Sequence, residues 1–158
     1  MYSLNPSNGK IKQLQAKEDV ISDYSIANQA FEMVYFGLSA SNSQRLYTYN
    51  LKNDASSCLI DLSKEILRDV TLGEVQDWNF VSAQGDTIYG RFYLPPHFDA
   101  TKKYPMIVNY YGGTTPTARV MESRYPSHVY AGLGYIVYII QPSGATLSLI
   151  HISEPTRH

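Results

Sequence analysis

Two adjacent tyrosines followed by a glycine pair form the stretch of this sequence best suited to chemistry. Tyr110 and Tyr111 close the apolar run 106–111, and Gly112 and Gly113 follow directly. Glycines at the carboxyl end of a strand let the backbone turn sharply and let a ligand come close. Open α/β sheets bind their ligands at that end of their strands. The stretch therefore predicts a ligand site, and the alternative is a glycine turn after a core strand with no site beside it.

The elements that would position this stretch are two apolar runs with a helix between them. Residues 106–111 and 135–140 are nearly continuous apolar runs. Such runs predict strands covered on both faces, which is typical of parallel sheets. Between them, residues 119–131 predict an amphipathic helix, in which Pro126 must begin or break a turn. A hairpin at 78–94 comes before the first run, and this order of elements is typical of the start of an α/β-hydrolase domain.

The first part of the chain predicts short β-strands in regular succession. Strands are expected at 2–4 and 10–14, at 20–26 and 31–39, and at 44–51 and 58–62, with turn residues between them. Regular short strands of this kind indicate either the last blade or so of a β-propeller or a β-sandwich. Residues 72–77 are polar and predict a linker.

Composition limits the function classes. The 158 residues are 44% hydrophobic and carry a net charge of −1, so we expect a globular chain with no electrostatic footprint for nucleic acid. No apolar run approaches the ~20 residues that span a bilayer, and the start of the chain lacks the features of a signal peptide. These features do not indicate the cellular compartment of the protein. Cys58, the one cysteine, lies in a predicted strand and is expected to be a buried, unreactive thiol.

Other side chains with reactive groups are weaker candidates. His97 follows two prolines in a connecting loop and His128 lies on the predicted helix, so both are expected at a surface or an interface. Four carboxylates fall in predicted turns and are expected to be solvated or to cap the backbone; they are Glu74, Asp77, Asp86 and Asp99.

Five strings, taken in order, resemble the prolyl oligopeptidase family of serine peptidases and, within it, the dipeptidyl peptidase IV branch. The resemblance is specific over residues 74–146 and looser before them. The strings are Trp78-Asn79-Phe80, Tyr93-Leu94-Pro95-Pro96-His97-Phe98-Asp99, Lys102-Lys103-Tyr104-Pro105, Tyr110-Tyr111-Gly112-Gly113-Thr114-Thr115-Pro116 and Gln141-Pro142-Ser143-Gly144-Ala145-Thr146.

The resemblance implies a catalytic role for Tyr111 alone. In the branch that the chain resembles, the tyrosine at this position donates its hydroxyl to the oxyanion hole. Tyr110, one position earlier, is the alternative candidate for this role. Cleavage in the family needs a Ser-His-Asp triad whose serine lies on a G-x-S-x-G elbow. No such elbow occurs in the 158 residues, so the nucleophile, the base and the acid are all expected to lie outside this chain, and the chain alone should be inactive.

The last residues depart from the family pattern. Residues 147–158 resemble the translation of a transposon-type sequencing adapter, and we expect them to be an artefact. This interpretation also removes an apparent catalytic cluster, which consists of Ser148, His151, Ser153 and Glu154. The alternative is a natural, divergent C-terminus.

The resemblance thus implies three segments and one activity. Residues 1–73 would be the C-terminal part of a β-propeller, 74–146 the N-terminal part of an α/β-hydrolase domain, and 147–158 the artefact. The whole protein would be a serine peptidase that acts on peptides, and no cofactor or metal is expected. From the charge and the apolar runs of this chain, we expect no nucleic-acid partner and see no membrane segment in its sequence. A carboxylesterase of the same fold and a non-catalytic propeller module remain as alternatives. The sheet would present an unpaired edge at the strand that ends at Ile140, so aggregation is expected.

Overall fold

The computed structural model describes residues 1–111 and 120–141 of the chain. The chain divides into two compact units, Met1–Val70 and the part that begins at Thr71. The sequence predicts a domain boundary between residues 73 and 74. The predicted artefact at 147–158, and the glycine-containing strings at 112–116 and 142–146, lie outside the described residues. No described helix has both the length and the apolar character needed to span a membrane.

The first unit is built from antiparallel strands. β1 and β2 pair as a hairpin, and β3 to β6 form a four-stranded sheet in the order β3-β4-β5-β6. A four-stranded antiparallel sheet of sequential strands is the repeating element of a propeller blade. The elements are β1 Tyr2–Leu4, β2 Ile11–Gln13, β3 Val20–Ile26, β4 Glu32–Leu38, β5 Arg45–Asn50, β6 Ala55–Asp61 and the short helix α1 Ser63–Ile66.

Three tyrosines on one face of this sheet form its core and also fix the segment before β3. Tyr35 on β4 stacks on Tyr47 on β5, with ring centroids 5.0 Å apart, and Tyr49 is fully buried beside them. The Tyr35 hydroxyl accepts the backbone N–H of Lys17 at 2.9 Å, and the Tyr49 hydroxyl accepts that of Gln15 at 3.0 Å. The two phenols therefore tie the backbone of residues 15–17 to the face of the sheet.

A charged network joins Glu18 to β5 and β6. The Glu18 side chain is 8% exposed, accepts the Tyr47 hydroxyl and pairs with Arg45 at 3.1 Å. Arg45 also pairs with Asp61 at 2.9 Å. Hydrogen bonding from Arg45 holds the pKa of Asp61 below its ordinary value, and burial together with the Glu18 carboxylate raises the pKa of Tyr47. The network ties three separate segments of the unit together.

The second unit contains a mixed sheet in the order β10-β11-β9-β7, with β8 paired to β9. β10 and β11 are parallel and the other pairs are antiparallel. The helix α2 connects the two parallel strands and contacts β11 and β9. The elements are β7 Val75–Asp77, β8 Phe80–Val81, β9 Thr87–Tyr93, β10 Met106–Asn109, α2 Ser127–Gly132 and β11 Ile136–Gln141.

Four expectations from the sequence were wrong. The predicted linker 72–77 contains β7, which pairs with β9. The helix expected over 119–131 begins only at Ser127, because Pro126 cannot lie inside a helix. β10 is an end strand of the described sheet and has one exposed face. β11 lies between β10 and β9, so within the described residues the open edge is not at the strand that contains Ile140. Cys58 is exposed, on the end strand β6 of the four-stranded sheet.

Gly90 on β9 makes room for an aromatic cluster on the face of the sheet opposite α2. A Cβ atom at Gly90 would lie 2.1 Å from the Tyr138 hydroxyl oxygen. Tyr138 stacks on Phe92 with centroids 4.3 Å apart, and Trp78 meets the Tyr138 ring edge-on at 5.6 Å. Burial raises the pKa of Tyr138. The missing side chain at position 90 is therefore what lets β11 place a large ring at Tyr138.

Replacing Gly90 by alanine should destabilise the second unit, because the new methyl group overlaps the Tyr138 ring. We expect a loss of about 1–3 kcal/mol in the free energy of unfolding, the usual cost of overpacking. Urea titration followed by Trp78 fluorescence measures it, since Trp78 is the only tryptophan. The matched control is Gly132→Ala, where a Cβ meets nothing within 4 Å. Equal losses in the two variants would contradict the steric account.

Glu18→Gln should destabilise the first unit by about 1–3 kcal/mol, because it removes a buried charge partner from Arg45. Urea unfolding followed by far-ultraviolet circular dichroism is the measurement. The control is Glu65→Gln, which breaks an exposed pair with Arg68 and should change stability by less than about 0.5 kcal/mol. If Glu18→Gln costs no more than the control, the network does not hold the unit together.

Candidate functional site

The site predicted from the tyrosine pair lies at the carboxyl end of β10. β10 and β11 run parallel with Asn109 opposite Ile139, so their carboxyl ends lie close together. Tyr110 and Tyr111 follow β10 directly, and β11 ends at Gln141. The parallel pairing therefore brings the two tyrosines to the edge of the sheet where α/β folds bind ligands.

Both tyrosines are accessible from solvent. Tyr111 is 53% exposed and Tyr110 is 65% exposed. A ligand can therefore reach either phenol directly.

Alternation along β10 separates the two faces of the sheet. Ile107 and Asn109 are partly buried on the side of α2, whereas Met106 and Val108 are exposed on the other side. Continuing this alternation predicts that Tyr111 points to the side of α2 and Tyr110 to the opposite side. Only one of the two phenols is then available on each face.

A groove of about 300 Å³ lies on the side of α2 next to β10. Residues of β10 and β11 form its floor, and two tyrosines and a serine from the helix region form its wall. The lining residues are Ile107, Val108, Asn109, Tyr125, Ser127, Tyr130 and Val137. Sequence reasoning missed the wall, because it treated 119–131 only as an amphipathic helix. The available signal was the spacing of three between Ser127 and Tyr130, which puts them on one helix face.

The two histidines lie where the sequence predicted. His97 is exposed in the loop after β9 and has a left-handed backbone with φ of 59°. His128 is partly buried on α2, and its ring meets Tyr93 edge-on with centroids 5.0 Å apart. His97 is thus a surface residue and His128 an interfacial one.

Three of the four carboxylates lie in turns or loops. Asp99 accepts the Thr101 hydroxyl at 2.7 Å and its backbone N–H at 3.0 Å, and these bonds lower the pKa of Asp99. Asp86 is exposed in the turn between β8 and β9, and Glu74 is exposed just before β7. These three fit the expectation of solvated or capping groups.

Asp77 differs from that expectation. It lies on β7 opposite Arg91 on β9, and its two carboxylate oxygens accept Arg91 N–H groups at 2.6 and 3.2 Å. The prediction of a turn carboxylate was wrong, because the strand pairing that creates this bidentate contact is not visible in the local sequence. Within the described ranges, no group of three or more histidines, cysteines and carboxylates could hold a metal ion.

Sequence comparison finds similarity to dipeptidyl peptidases. No family model matches the chain. It is 29% identical to dipeptidyl-peptidase 5 of Porphyromonas gingivalis over 138 residues, which cover 87% of this chain and 20% of that protein. It is 34% identical to human dipeptidyl peptidase 8 over 85 residues, which cover 50% of this chain and 9% of that protein.

Structural comparison finds the same fold in peptidases of known structure. An acylaminoacyl peptidase from Pyrococcus horikoshii matches with a TM-score of 0.70 and 19% identity, over 87% of this chain and 21% of the other. Dipeptidyl peptidase 4 of Porphyromonas gingivalis matches with a TM-score of 0.69 and 16% identity, over 91% and 21%.

The chain spans about a fifth of the length of these two solved structures and of the Porphyromonas relative. The matches confirm the predicted fold class, which is the strands of a terminal propeller blade followed by the N-terminal part of an α/β-hydrolase domain. The named relatives and the shared fold bear out the predicted resemblance to the dipeptidyl peptidase IV-like branch of the prolyl oligopeptidase family.

Proposed function

We propose that this chain is part of a serine peptidase, in which Tyr111 donates a hydrogen bond to the oxyanion that forms during peptide-bond cleavage. The observation that carries the proposal is the exposed Tyr111 at the carboxyl end of β10, in a chain whose relatives are named dipeptidyl peptidases. Its substrate would be a peptide, and no cofactor is needed for this chemistry.

The chemistry suits a phenol. When a nucleophile attacks a peptide carbonyl, the oxygen gains negative charge as the carbon becomes tetrahedral, and a hydroxyl held nearby stabilises this charge more in the transition state than in the bound substrate. Losing one such donor typically costs about 2.7–4 kcal/mol of transition-state stabilisation. The second donor in this family type is the backbone N–H after the nucleophile.

The sequence indicates which parts of the proposed active site this chain supplies. The 158 residues contain no G-x-S-x-G elbow. The serine, the histidine and the aspartate of the proposed enzyme would therefore lie in the part of the complete protein that corresponds to the other four-fifths of its relatives. The segments proposed for this chain are residues 1–73 for the propeller end and 74–146 for the start of the hydrolase domain.

In the complete protein, expressed from its recovered reading frame, Tyr111→Phe should lower kcat about 10²–10³-fold, because the phenyl ring keeps the packing and loses the donor. KM should change little, since the bond strengthens mainly in the transition state. A chromogenic prolyl amide is the substrate. The control is Tyr110→Phe, which should keep near wild-type kcat. Equal effects of the two changes, or none from Tyr111→Phe, would remove Tyr111 from the site.

The 158-residue chain itself should hydrolyse neither the prolyl amide nor a matched ester above the buffer rate. It offers the proposed oxyanion donor without a nucleophile. Turnover that survives purification to constant specific activity would contradict this expectation. In the complete protein, the ratio of amide to ester hydrolysis distinguishes a peptidase from a carboxylesterase of the same fold.

A further inference from the structure

The tip of the hairpin between β1 and β2 carries an asparagine directly before a glycine. Asn8 and Gly9 form the one Asn-Gly step in the 158 residues. The backbone at Gly9 is left-handed, with φ of 68°, and residues 2–10 are all exposed to solvent. The turn requires a residue that tolerates positive φ, and the same glycine gives Asn8 a neighbouring backbone nitrogen without a side chain beside it.

The turn holds the Asn8 side-chain amide against the following peptide bond. The Lys10 N–H donates to the Asn8 side-chain oxygen Oδ1 at 3.0 Å. This contact closes a ring of atoms that includes the Gly9 nitrogen, as asparagine does in many turns. The side-chain carbon Cγ is therefore kept beside that nitrogen, and holding two reacting groups together lowers the entropy cost of their reaction.

The same hydrogen bond prepares the Asn8 carbonyl for attack. An N–H group that donates to a carbonyl oxygen stabilises the negative charge that develops there when a nucleophile adds to the carbon. The Lys10 N–H has this position at Asn8. The surroundings are open, because a Cβ atom at Gly9 would have nothing within 4 Å apart from its chain neighbours.

One contact at the turn opposes the reaction. The Gly9 N–H donates to the Asn5 carbonyl at 2.9 Å, and this bond must open before the nitrogen can lose its proton. Opening one hydrogen bond of ordinary net strength slows a reaction by about tenfold or less. The contact therefore slows attack by the Gly9 nitrogen without preventing it.

We propose that Asn8 is a site of spontaneous deamidation, in which the Gly9 backbone nitrogen displaces the side-chain amide. The Gly9 nitrogen gives its proton to hydroxide and forms a bond to Asn8 Cγ. The bond between Cγ and Nδ2 breaks, and the leaving nitrogen takes up a proton from water and departs as ammonia. Water then opens the resulting succinimide ring at either carbonyl carbon, which yields aspartate or isoaspartate. Water is the only co-reactant, and nothing is oxidised or reduced.

The two products should affect the hairpin differently. Each adds one negative charge, but isoaspartate also inserts the side-chain carbon into the backbone of the turn. The turn is closed by the Asn5 N–H, which donates to the Lys10 carbonyl at 2.8 Å, and by the pairing of Leu4 with Ile11. An added backbone atom changes this spacing, so isoaspartate should loosen the hairpin, whereas aspartate should preserve it.

Incubation of the 158-residue chain at mildly alkaline pH, followed by trypsin digestion and mass spectrometry, tests the proposal. Cleavage after lysine releases residues 1–10 and 53–64 as separate peptides. Asn53 is the internal control, because it is also exposed in a turn but precedes Asp54. Asn8 should be converted to the acid about tenfold faster than Asn53 or more, which corresponds to about 1.4 kcal/mol in activation free energy. The rate should rise in proportion to hydroxide, and far-ultraviolet circular dichroism checks that the chain stays folded.

Two variants separate this reaction from general loss of amides. Gly9→Ala should slow conversion of Asn8 about tenfold or more, because a Cβ atom crowds the attacking nitrogen. Alanine is strained at positive φ, so circular dichroism must show that this variant is folded. Asn8→Gln keeps an amide but requires a larger ring, so position 8 should stay unchanged while Asn8 of the wild-type chain converts. Equal rates at Asn8 and Asn53 in the folded chain, or an unchanged rate in folded Gly9→Ala, would overturn the proposal.

Discussion

The parallel pairing of β10 with β11 is the contact on which the candidate site depends. Two parallel neighbours cannot be joined by a tight turn, so the chain between them must cross over one face of the sheet. Here it does so through α2, which packs on β11 and β9. The same crossover brings the carboxyl ends of both strands together and creates the groove beside Tyr125 and Tyr130. The position of Tyr111 is thus a product of topology as well as of its own sequence.

The position of β11 in turn depends on the shape of its other neighbour, β9. β11 can lie against β9 only because Gly90 leaves space for the ring of Tyr138. The ring then joins Trp78 and Phe92 in one cluster. A single absent Cβ atom on one strand therefore determines which large side chain the next strand can carry, and this steric match links the hairpin at the start of the unit to the parallel strands that hold the site.

The sequence predicted the strongly patterned elements well. β3, β4, β5 and β11 were found to within one or two residues, because apolar residues and turn signals bound them clearly. β7 was missed, since Val75–Asp77 has no pattern of its own and becomes a strand by pairing with β9. The burial of β10 was also wrong, because a continuous apolar run does not reveal whether a strand lies at the centre or at the edge of a sheet. The role of Tyr111 stays a prediction.

The exposure of Cys58 has a practical consequence. It is the chain's one thiol, it lies on β6 in the first unit, and its side chain faces solvent. A maleimide dye can therefore be attached at a single defined position without removing any other cysteine. The one natural indole lies in the second unit, so resonance energy transfer to such a dye would report relative movement of the two units in solution.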